Sequence, residues 1–335
     1  MGKLKKIITI EWNTENGKSY QKVPLFWQKF GPEVGTAPVV LVNHALTGNS
    51  NVAGENGWWN ALIGNNKTID TNDFTVIAFN IPGNGVDRNC ENLIHNYKDF
   101  TAKDIAQIFW QGLDELKIDK LFAVIGGSLG GGIAWEMAAL HPTKIENLIP
   151  VATDWKATDW VIANVLVQDQ ILNNSDNPIS DARLHAMLLY RTPQSLGLKF
   201  NREKSPGETN FHIETWLLHH GEKLQSRFRL ASYKLMNHLL KTVDISKNHQ
   251  SFEAVANEIQ ANIHVIAVDS DLFFIPNENR ESVKLLQQTK SNIFYHEIKS
   301  IHGHDAFLIE FDQLSKIIQP IFNTQKQSNY VYAQN

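Results

Sequence analysis

The chain has 335 residues, of which 42% are hydrophobic and 20% charged, and its formal net charge at pH 7 is −4. This composition is typical of a globular protein with a sizeable core, and the length exceeds the roughly 100–200 residues of a usual domain. The weak negative charge gives no reason to expect nucleic acid or an anionic membrane as a partner, so we expect small-molecule ligands.

The N-terminal residues and the cysteine count indicate a cytoplasmic protein. The opening stretch MGKLKKIITIEWN begins basic, but its apolar run is too short for the core of a signal peptide. No segment approaches the roughly 18–20 apolar residues of a membrane span. Cys90 is the only cysteine, which excludes an intramolecular disulfide and any multi-cysteine metal site. We therefore expect the protein to act in the cytoplasm.

Short β-rich runs alternate with helical patterns along most of the chain. The helix TAKDIAQIFWQGLDELKI begins with Thr101 and Asp104, which predict a capping box, and ESVKLLQQ (281–288) predicts a helix between the last two strands. Several runs are continuously apolar, as in strands covered by helices on both faces. The predicted strands are VVLVN (39–43), FTVIAFN (74–80), LFAVI (121–125), NLIPVA (147–152), NIHVIAV (262–268) and IFYHEI (293–298). This order predicts an α/β fold with a mainly parallel sheet.

The alternation stops between residues 155 and 255, where the pattern is helical throughout. A loop, FNREKSPGETNF (200–211), interrupts the helices. Because strands and helices alternate again after residue 255, we interpret residues 155–255 as a helical cap inserted into a core of residues 1–154 and 256–323. Residues 324–335 are polar and aperiodic, which predicts an irregular tail.

A serine lies among glycines after the third predicted strand. Gly126, Ser128 and Gly130 match G-x-S-x-G, and the preceding strand and following helix provide the context of a nucleophile turn. Such a turn brings the strand and helix backbones so close that a Cβ atom at the flanking positions would collide. A phosphate-binding turn is the alternative, but the patterns G-x-G-x-x-G and G-K-[ST] are absent.

A nucleophilic serine needs a base and an acid, which follow it in this chain order. The stretch AVDSDLFFIP places Asp269 and Asp271 at the end of an apolar strand, and SIHGHDAFLIE supplies His302 and His304 in a loop. The alternation of side chains along a strand does not show which of the two aspartates is the acid or which of the two histidines is the base. A metal site on the histidines is a weak alternative, because no second cluster of ligands stands nearby.

Acyl chemistry also needs hydrogen-bond donors for the developing oxyanion. The backbone N–H of Leu129, directly after the serine, is one expected donor. The second should come from the loop that follows the first predicted strand, at residues 44–48.

Five blocks together resemble the homoserine O-acyltransferases of the α/β-hydrolase fold, over about residues 25–320. They are NHALTGNSNVAG, GWWNALIGNNKTIDTNDFTVIAFN, AVIGGSLGG, VDSDLFF and GHDAFLIE, in this order. The resemblance implies Ser128 as nucleophile, Asp271 as acid, His304 as base, the backbones of Leu46 and Leu129 as oxyanion donors, and Arg183 and Asp305 as ligands of the acceptor amino acid. A zwitterion needs a guanidinium for its carboxylate and a carboxylate for its ammonium, which fits this pair.

The resemblance implies transfer of an acetyl group from acetyl-CoA, as co-substrate, to L-homoserine through an acyl-Ser128 enzyme. The product would be O-acetyl-L-homoserine for methionine biosynthesis. No permanently bound cofactor and no metal are expected, and the family implies a homodimer formed through the cap.

Three alternatives remain at this stage: an O-succinyltransferase that uses succinyl-CoA, a serine esterase that uses water, and a non-catalytic binding protein of the same fold. Two segments depart from the family pattern, namely the compact stretch at residues 81–101 and the first cap segment, ATDWVIANVLVQDQ. Both could contact the acyl donor or the acceptor, so the sequence leaves the substrates open.

Overall fold

The computed structural model describes residues 3–207 and 209–332, and an eight-stranded sheet forms the centre of these residues. The strands are β1 (Lys5–Asn13), β2 (Ser19–Phe30), β3 (Val39–Asn43), β4 (Ile63–Gly64), β5 (Ile69–Asp70), β6 (Thr75–Phe79), β7 (Leu121–Gly127), β8 (Ile145–Val151), β9 (Asn262–Val268) and β10 (Ile293–Ile298). The sheet order is β1-β2-β6-β3-β7-β8-β9-β10, and β4 pairs with β5 separately. All pairs from β6 to β10 are parallel.

The six strands expected from the sequence are present as β3 and β6–β10. Strands β1 and β2 are not among the predicted strands; they form an antiparallel hairpin that pairs with β6. In β2 the buried residues Val23, Leu25 and Trp27 alternate with more exposed ones. This alternation is typical of a strand near a sheet edge with one solvated face, and it differs from the continuous apolar runs of the central strands.

Helices cover the sheet and form most of the segment between β8 and β9. They are α1 (Ala102–Glu115), α2 (Leu129–Leu140), α3 (Asp159–Asn174), α4 (Pro178–Tyr190), α5 (Pro193–Phe200), α6 (His212–Arg227), α7 (Leu230–Leu240), α8 (Phe252–Glu258), α9 (Pro276–Leu286) and α10 (Phe311–Tyr332). Helix α1 begins at the expected capping box, in which Thr101 Oγ1 accepts the Asp104 N–H at 3.2 Å and Asp104 Oδ2 accepts the Thr101 N–H at 2.8 Å.

The segment between β8 and β9 is an excursion from the sheet, because the two strands that flank it are neighbours. Residues 147 and 148 of β8 pair directly with residues 262 and 263 of β9. An isolated bridge between Lys156 and Asp244 joins the two ends of the segment. In the part of it that the structure describes, residues 152–207 and 209–261, there is no strand. We keep residues 155–255 as our proposed limits of the cap and residues 1–154 and 256–323 as the proposed core.

Apolar side chains pack on both faces of the sheet. Phe79, Phe109 and Trp135 belong to one fully buried cluster, and Trp59 and Phe322 belong to the other. Successive apolar residues of β3 and β6 alternate between the two clusters, as expected for a strand with helices on either side. The edge where the parallel strands end in Asn43, Gly127 and Val151 therefore belongs to a sheet that is packed on both faces.

Helix α10 extends beyond the end that the sequence predicts for the core. It includes residues 324–332, so the expectation of an irregular tail is wrong for these residues; residues 333–335 lie outside the described ones. The glutamines and Lys326 of this stretch favour helix even without an apolar period. Among the described residues, no helix is long and apolar enough to cross a membrane.

Candidate active site

The serine turn joins β7 to α2 at the edge where the parallel strands end. Ser128 has φ 55° and ψ −125°, a left-handed backbone conformation that is rare for a residue with a side chain. Its N–H donates to the carbonyl oxygen of Val151 at 2.9 Å, which fixes the turn against β8. The strain at Ser128 is thus supported by its neighbours, as is common at functional positions.

The glycines beside the serine allow the strand and the helix to approach each other. A Cβ atom at Gly126 would lie within 3.0 Å of the Gly130 carbonyl oxygen, and one at Gly130 within 3.0 Å of the Asn43 carbonyl oxygen. The collisions that the sequence predicts are confirmed at both positions. The positive φ belongs to Ser128 itself and not to these glycines, so close backbone approach is their requirement.

Three buried side chains form a hydrogen-bonded relay. Asp271 Oδ2 lies 2.7 Å from His304 Nδ1, and His304 Nε2 lies 2.9 Å from Ser128 Oγ. A carboxylate only accepts, so the Nδ1–H of His304 donates to Asp271 and leaves Nε2 to accept the hydroxyl proton of Ser128. The other Asp271 oxygen accepts the N–H groups of Phe273 and Phe274 at 2.7 and 3.0 Å. The Asp271 carboxylate is therefore held in position by the backbone of its own loop.

The other aspartate and histidine of the two candidate pairs lie elsewhere. Asp269 Oδ1 accepts the Ser300 N–H at 2.9 Å, near Lys299 at the protein surface. His302 Nδ1 lies 2.9 Å from Ser195 Oγ and 3.0 Å from Arg191 Nη2. Of these four residues, the structure brings only Asp271 and His304 to Ser128.

Aromatic rings surround the imidazole of His304. The rings of Tyr190, Phe273, Phe274 and Phe307 have centroids 5.4 or 5.5 Å from that of His304. Such rings limit the access of water to the base and hold its plane. Tyr190 comes from the end of α4, so one wall of the pocket around His304 belongs to the proposed cap.

The two residues expected to supply oxyanion donors lie at a helix N-terminus and in a tight turn. Leu129 is the first residue of α2, and its N–H has no acceptor within the helix. Leu46 lies in a tight turn that is closed by the Gly48 N–H, which donates to the Ala45 carbonyl at 2.9 Å. Both leucine side chains are buried. These are the two positions where the sequence predicts oxyanion donors.

His44 holds the loop of Leu46 in place. Its Nε2 accepts the Ile81 N–H at 3.0 Å, so its Nδ1 carries the proton and donates to the Ala45 carbonyl at 2.8 Å. Burial lowers the pKa of His44 to about 4, so this ring is neutral at pH 7. The neutral tautomer of His44 is thus fixed by the Ile81 N–H and the Ala45 carbonyl.

Opposite charges lie next to the relay on the cap side. The Arg183 guanidinium lies 5.4 Å from the centroid of the Tyr190 ring, which itself contacts His304. Asp305 follows His304 in the chain. Burial raises the pKa of the Asp305 carboxyl, while the positive charges of Arg183 and Arg191 act in the opposite direction. The charges of Arg183 and Asp305 therefore act on each other, and both act on the buried Tyr190.

Two residues near the site have no counterpart in the sequence analysis. Tyr190 packs on His304, and the Arg191 Nη1 lies 4.0 Å from the Asp305 Oδ2. In the sequence, an arginine at the end of α4 is indistinguishable from an ordinary cation that complements a helix C-terminus. Its position near the site becomes visible only in the structure, where the loop of His304 lies against the end of α4.

Among residues 3–207 and 209–332, no three His, Cys, Asp or Glu side chains are grouped to hold a metal.

Known proteins resemble this chain over most of its length. Residues 38–309 match the α/β-hydrolase fold family. The chain is 32% identical to a homoserine O-acetyltransferase of Methanococcus vannielii, over 94% of this chain and 71% of that protein. It is also 32% identical to a homoserine O-succinyltransferase of Nitrosomonas europaea, over 92% of each.

Two solved structures have the same fold at lower identity. A homoserine O-acetyltransferase from Bacillus anthracis has a TM-score of 0.86 at 22% identity and covers 96% of this chain and 97% of its own. The L374D mutant of esterase E22 has a TM-score of 0.85 at 18% identity and covers 96% and 100%. The fold is therefore shared by transferases and esterases, whereas the two relatives at 32% identity are both acyltransferases. By these matches the chain belongs to the homoserine O-acyltransferase family of the α/β-hydrolase fold.

Proposed function

We propose that this protein transfers an acetyl group from acetyl-CoA to the hydroxyl of L-homoserine, with Ser128 as the acyl carrier, and so supplies O-acetyl-L-homoserine for methionine biosynthesis. The observation that carries this proposal is the relay from Asp271 through His304 to Ser128, with Arg183 and Asp305 beside it. The relay can form an acyl-enzyme, and the paired charges suit a zwitterionic acceptor. The acyltransferase relatives support the same reaction class.

In the first half-reaction, His304 Nε2 takes the hydroxyl proton as Ser128 Oγ attacks the thioester carbonyl carbon. The N–H groups of Leu46 and Leu129 stabilise the negative charge that develops on the carbonyl oxygen. The C–S bond then breaks, and His304 returns the proton to the departing sulfur. CoA leaves as the thiol, and acetyl-Ser128 remains.

In the second half-reaction, the same imidazole serves the acceptor. Arg183 binds the homoserine carboxylate and Asp305 its ammonium, which aims the side-chain hydroxyl at the acyl group. His304 takes the hydroxyl proton as the oxygen attacks, and it returns a proton to Ser128 Oγ when the acyl bond to serine breaks. Both substrates are small molecules, and the scheme needs no resident cofactor or metal.

Succinyl-CoA is the second candidate donor, because the O-succinyltransferase relative is as similar to this chain as the O-acetyltransferase. Hydrolysis of the acyl-enzyme by water is the third outcome. An esterase would use the same relay but would gain nothing from a guanidinium and a carboxylate placed for a zwitterion.

The test measures free thiol released by the purified protein from acetyl-CoA, with and without L-homoserine, and repeats both with succinyl-CoA. We expect L-homoserine to accelerate thiol release from acetyl-CoA, and O-acetyl-L-homoserine to form in equal amount. Equal rates with and without the amino acid would contradict a transferase. Ser128→Ala is the control, since it should abolish both turnover and labelling by a serine-directed phosphonate.

We also propose that the protein is a homodimer formed through the cap. Helix α3 exposes Ile162, Leu166 and Val167 on one face, and Leu166 is 56% accessible. Contiguous apolar residues of this kind are uncommon on the surface of a monomer and are typical of a surface that another chain covers.

A further inference from the structure

The corner between α4 and α5 holds an arginine whose guanidinium is fixed on one side. The Nε and Nη2 atoms of Arg191 donate to Ser195 Oγ at 3.3 and 2.8 Å. The Nη2 atom also lies 3.0 Å from His302 Nδ1. The remaining nitrogen, Nη1, points to Asp305 Oδ2 at 4.0 Å. Both charged side chains are largely buried, with 12% and 21% of their surface accessible.

The guanidinium of Arg191 determines which ring nitrogen of His302 carries the proton. A guanidinium can only donate hydrogen bonds, so the Nδ1 of His302 that faces it is the unprotonated nitrogen. His302 is thus an acceptor for Arg191. Because the guanidinium is planar and rigid, contacts along its Nε–Nη2 edge determine where Nη1 points.

The distance to Asp305 leaves room for a ligand. At 4.0 Å the Arg191 Nη1 is beyond hydrogen-bond range of the carboxylate, yet its charge is close enough to favour the ionised form. The carboxylate oxygens therefore keep their capacity to accept hydrogen bonds from an ammonium group. A direct, bidentate arginine pair would have occupied the same oxygens.

We propose that Arg191 is a positioning residue for the acceptor: held by Ser195 and His302, it places the charge of its guanidinium 4.0 Å from the Asp305 carboxylate and so prepares that carboxylate for the substrate ammonium. This inference rests on the proposed function and adds to it the group that prepares Asp305. Burial raises the pKa of Asp305, and the charge of Arg191 adds to that of Arg183 in opposing this effect, so a carboxylate without Arg191 would bind a cationic amine less well. Arg191 has no part in the attack on acyl-CoA, and its influence should be confined to the second half-reaction.

The first experiment separates the two half-reactions in Arg191→Gln and Arg191→Lys. Acylation of Ser128 is followed as the burst of p-nitrophenol from p-nitrophenyl acetate, and acceptor binding as the KM for L-homoserine at saturating acetyl-CoA. We expect the burst rate to stay within about twofold and the KM to rise about 10- to 100-fold, the effect of losing one partner of a charged group. Lysine should not restore binding, since a single ammonium nitrogen that is held by Ser195 and His302 leaves no second nitrogen to carry charge towards Asp305.

The second experiment compares acceptors and conservative substitutions. 4-Hydroxybutyrate lacks the amino group of homoserine, so loss of Arg191 should reduce its use much less than that of homoserine. His302→Asn offers an amide oxygen near the position of Nδ1 and should keep a lower homoserine KM than His302→Ala.

An unchanged homoserine KM, a burst slowed in parallel, or equal losses for both acceptors would overturn the role of Arg191. Failure of the proposed function is a different result, because it would show in the unmodified protein as thiol release that does not depend on homoserine.

Discussion

The Nε2 atom of His304 lies 2.9 Å from the Oγ atom of Ser128, although 176 positions separate the two residues in the chain. Ser128 follows β7 and His304 follows β10, and these strands end at the same edge of the sheet because both are parallel members of it. Asp271 follows β9, the neighbour of β10. The relay is therefore a consequence of strand order, and substitutions in it should affect catalysis far more than folding.

Asp271 and Asp269, which the alternation along the strand does not separate, provide a matched pair of variants. We expect Asp271→Asn to reduce kcat by about 10⁴-fold, because an amide in place of the carboxylate favours the wrong tautomer of His304. Asp269→Asn keeps an oxygen for the Ser300 N–H and lies outside the relay, so kcat should change less than about threefold. Steady-state kinetics with acetyl-CoA and L-homoserine measure both. A larger loss from Asp269→Asn would reassign the acid.

Two helical glycines test whether close packing or backbone freedom is required around the nucleophile. Gly130→Ala places a methyl group against the Asn43 carbonyl, and we expect it to lower the free energy of unfolding by about 3 kcal/mol or to prevent folding. Gly197→Ala in α5 meets no atom within 4 Å. It should stabilise the protein by about 0.5–1 kcal/mol, since alanine favours helix. Urea unfolding measures the free energy of unfolding of both variants. A stabilising effect of Gly130→Ala together with a destabilising effect of Gly197→Ala would contradict the packing argument.

The central strands and the serine turn can be predicted from the sequence because their causes are local. A continuous apolar run indicates a strand covered on both faces, and the collision that requires Gly126 and Gly130 involves only a strand and the helix that follows it. The hairpin of β1 and β2 is harder to predict, because the buried residues Val23, Leu25 and Trp27 of β2 alternate with the partly exposed Pro24 and Phe26, which are apolar as well.

The alternation of residues along the strand could not separate Asp269 from Asp271, for a geometric reason, and only the family resemblance favoured Asp271. The chain turns directly after β9, with the Asp271 N–H donating to the Val268 carbonyl at 3.1 Å, so the alternation of a strand no longer applies there. The place of Arg191 is also non-local, since it depends on Ser195 of the cap and His302 of the core. Contacts between distant segments leave no period in the sequence.

The apolar face of α3 predicts the oligomeric state. Leu166→Glu should shift the protein from dimer to monomer in light scattering coupled to size-exclusion chromatography, because a carboxylate would have to be buried in the contact. Leu285→Glu is the control: it changes a 39% accessible leucine on α9 of the core. It should leave the mass unchanged. A monomer for the unmodified protein, or equal shifts in both variants, would contradict a dimer through the cap.

Glu136 on α2 predicts how stability depends on pH. Its side chain is buried and accepts the Asp244 N–H at 3.0 Å, and burial raises its pKa from 4.5 to about 7. Between these values the unfolded chain releases a proton that the folded protein retains, so the free energy of unfolding falls as pH rises from about 4.5 to about 7. Above pH 7 the full cost remains, on the order of 3 kcal/mol.

Glu136→Gln removes this titration and keeps a carbonyl oxygen for the Asp244 N–H. In urea unfolding, we expect the variant to be more stable than the unmodified protein at pH 8 by up to about 3 kcal/mol. The difference should shrink towards zero at pH 5, where the glutamic acid is protonated in the folded protein and costs little. An advantage of equal size at both pH values would mean that the glutamine acts through packing, and an advantage only at pH 5 would reverse the sign of the pKa shift.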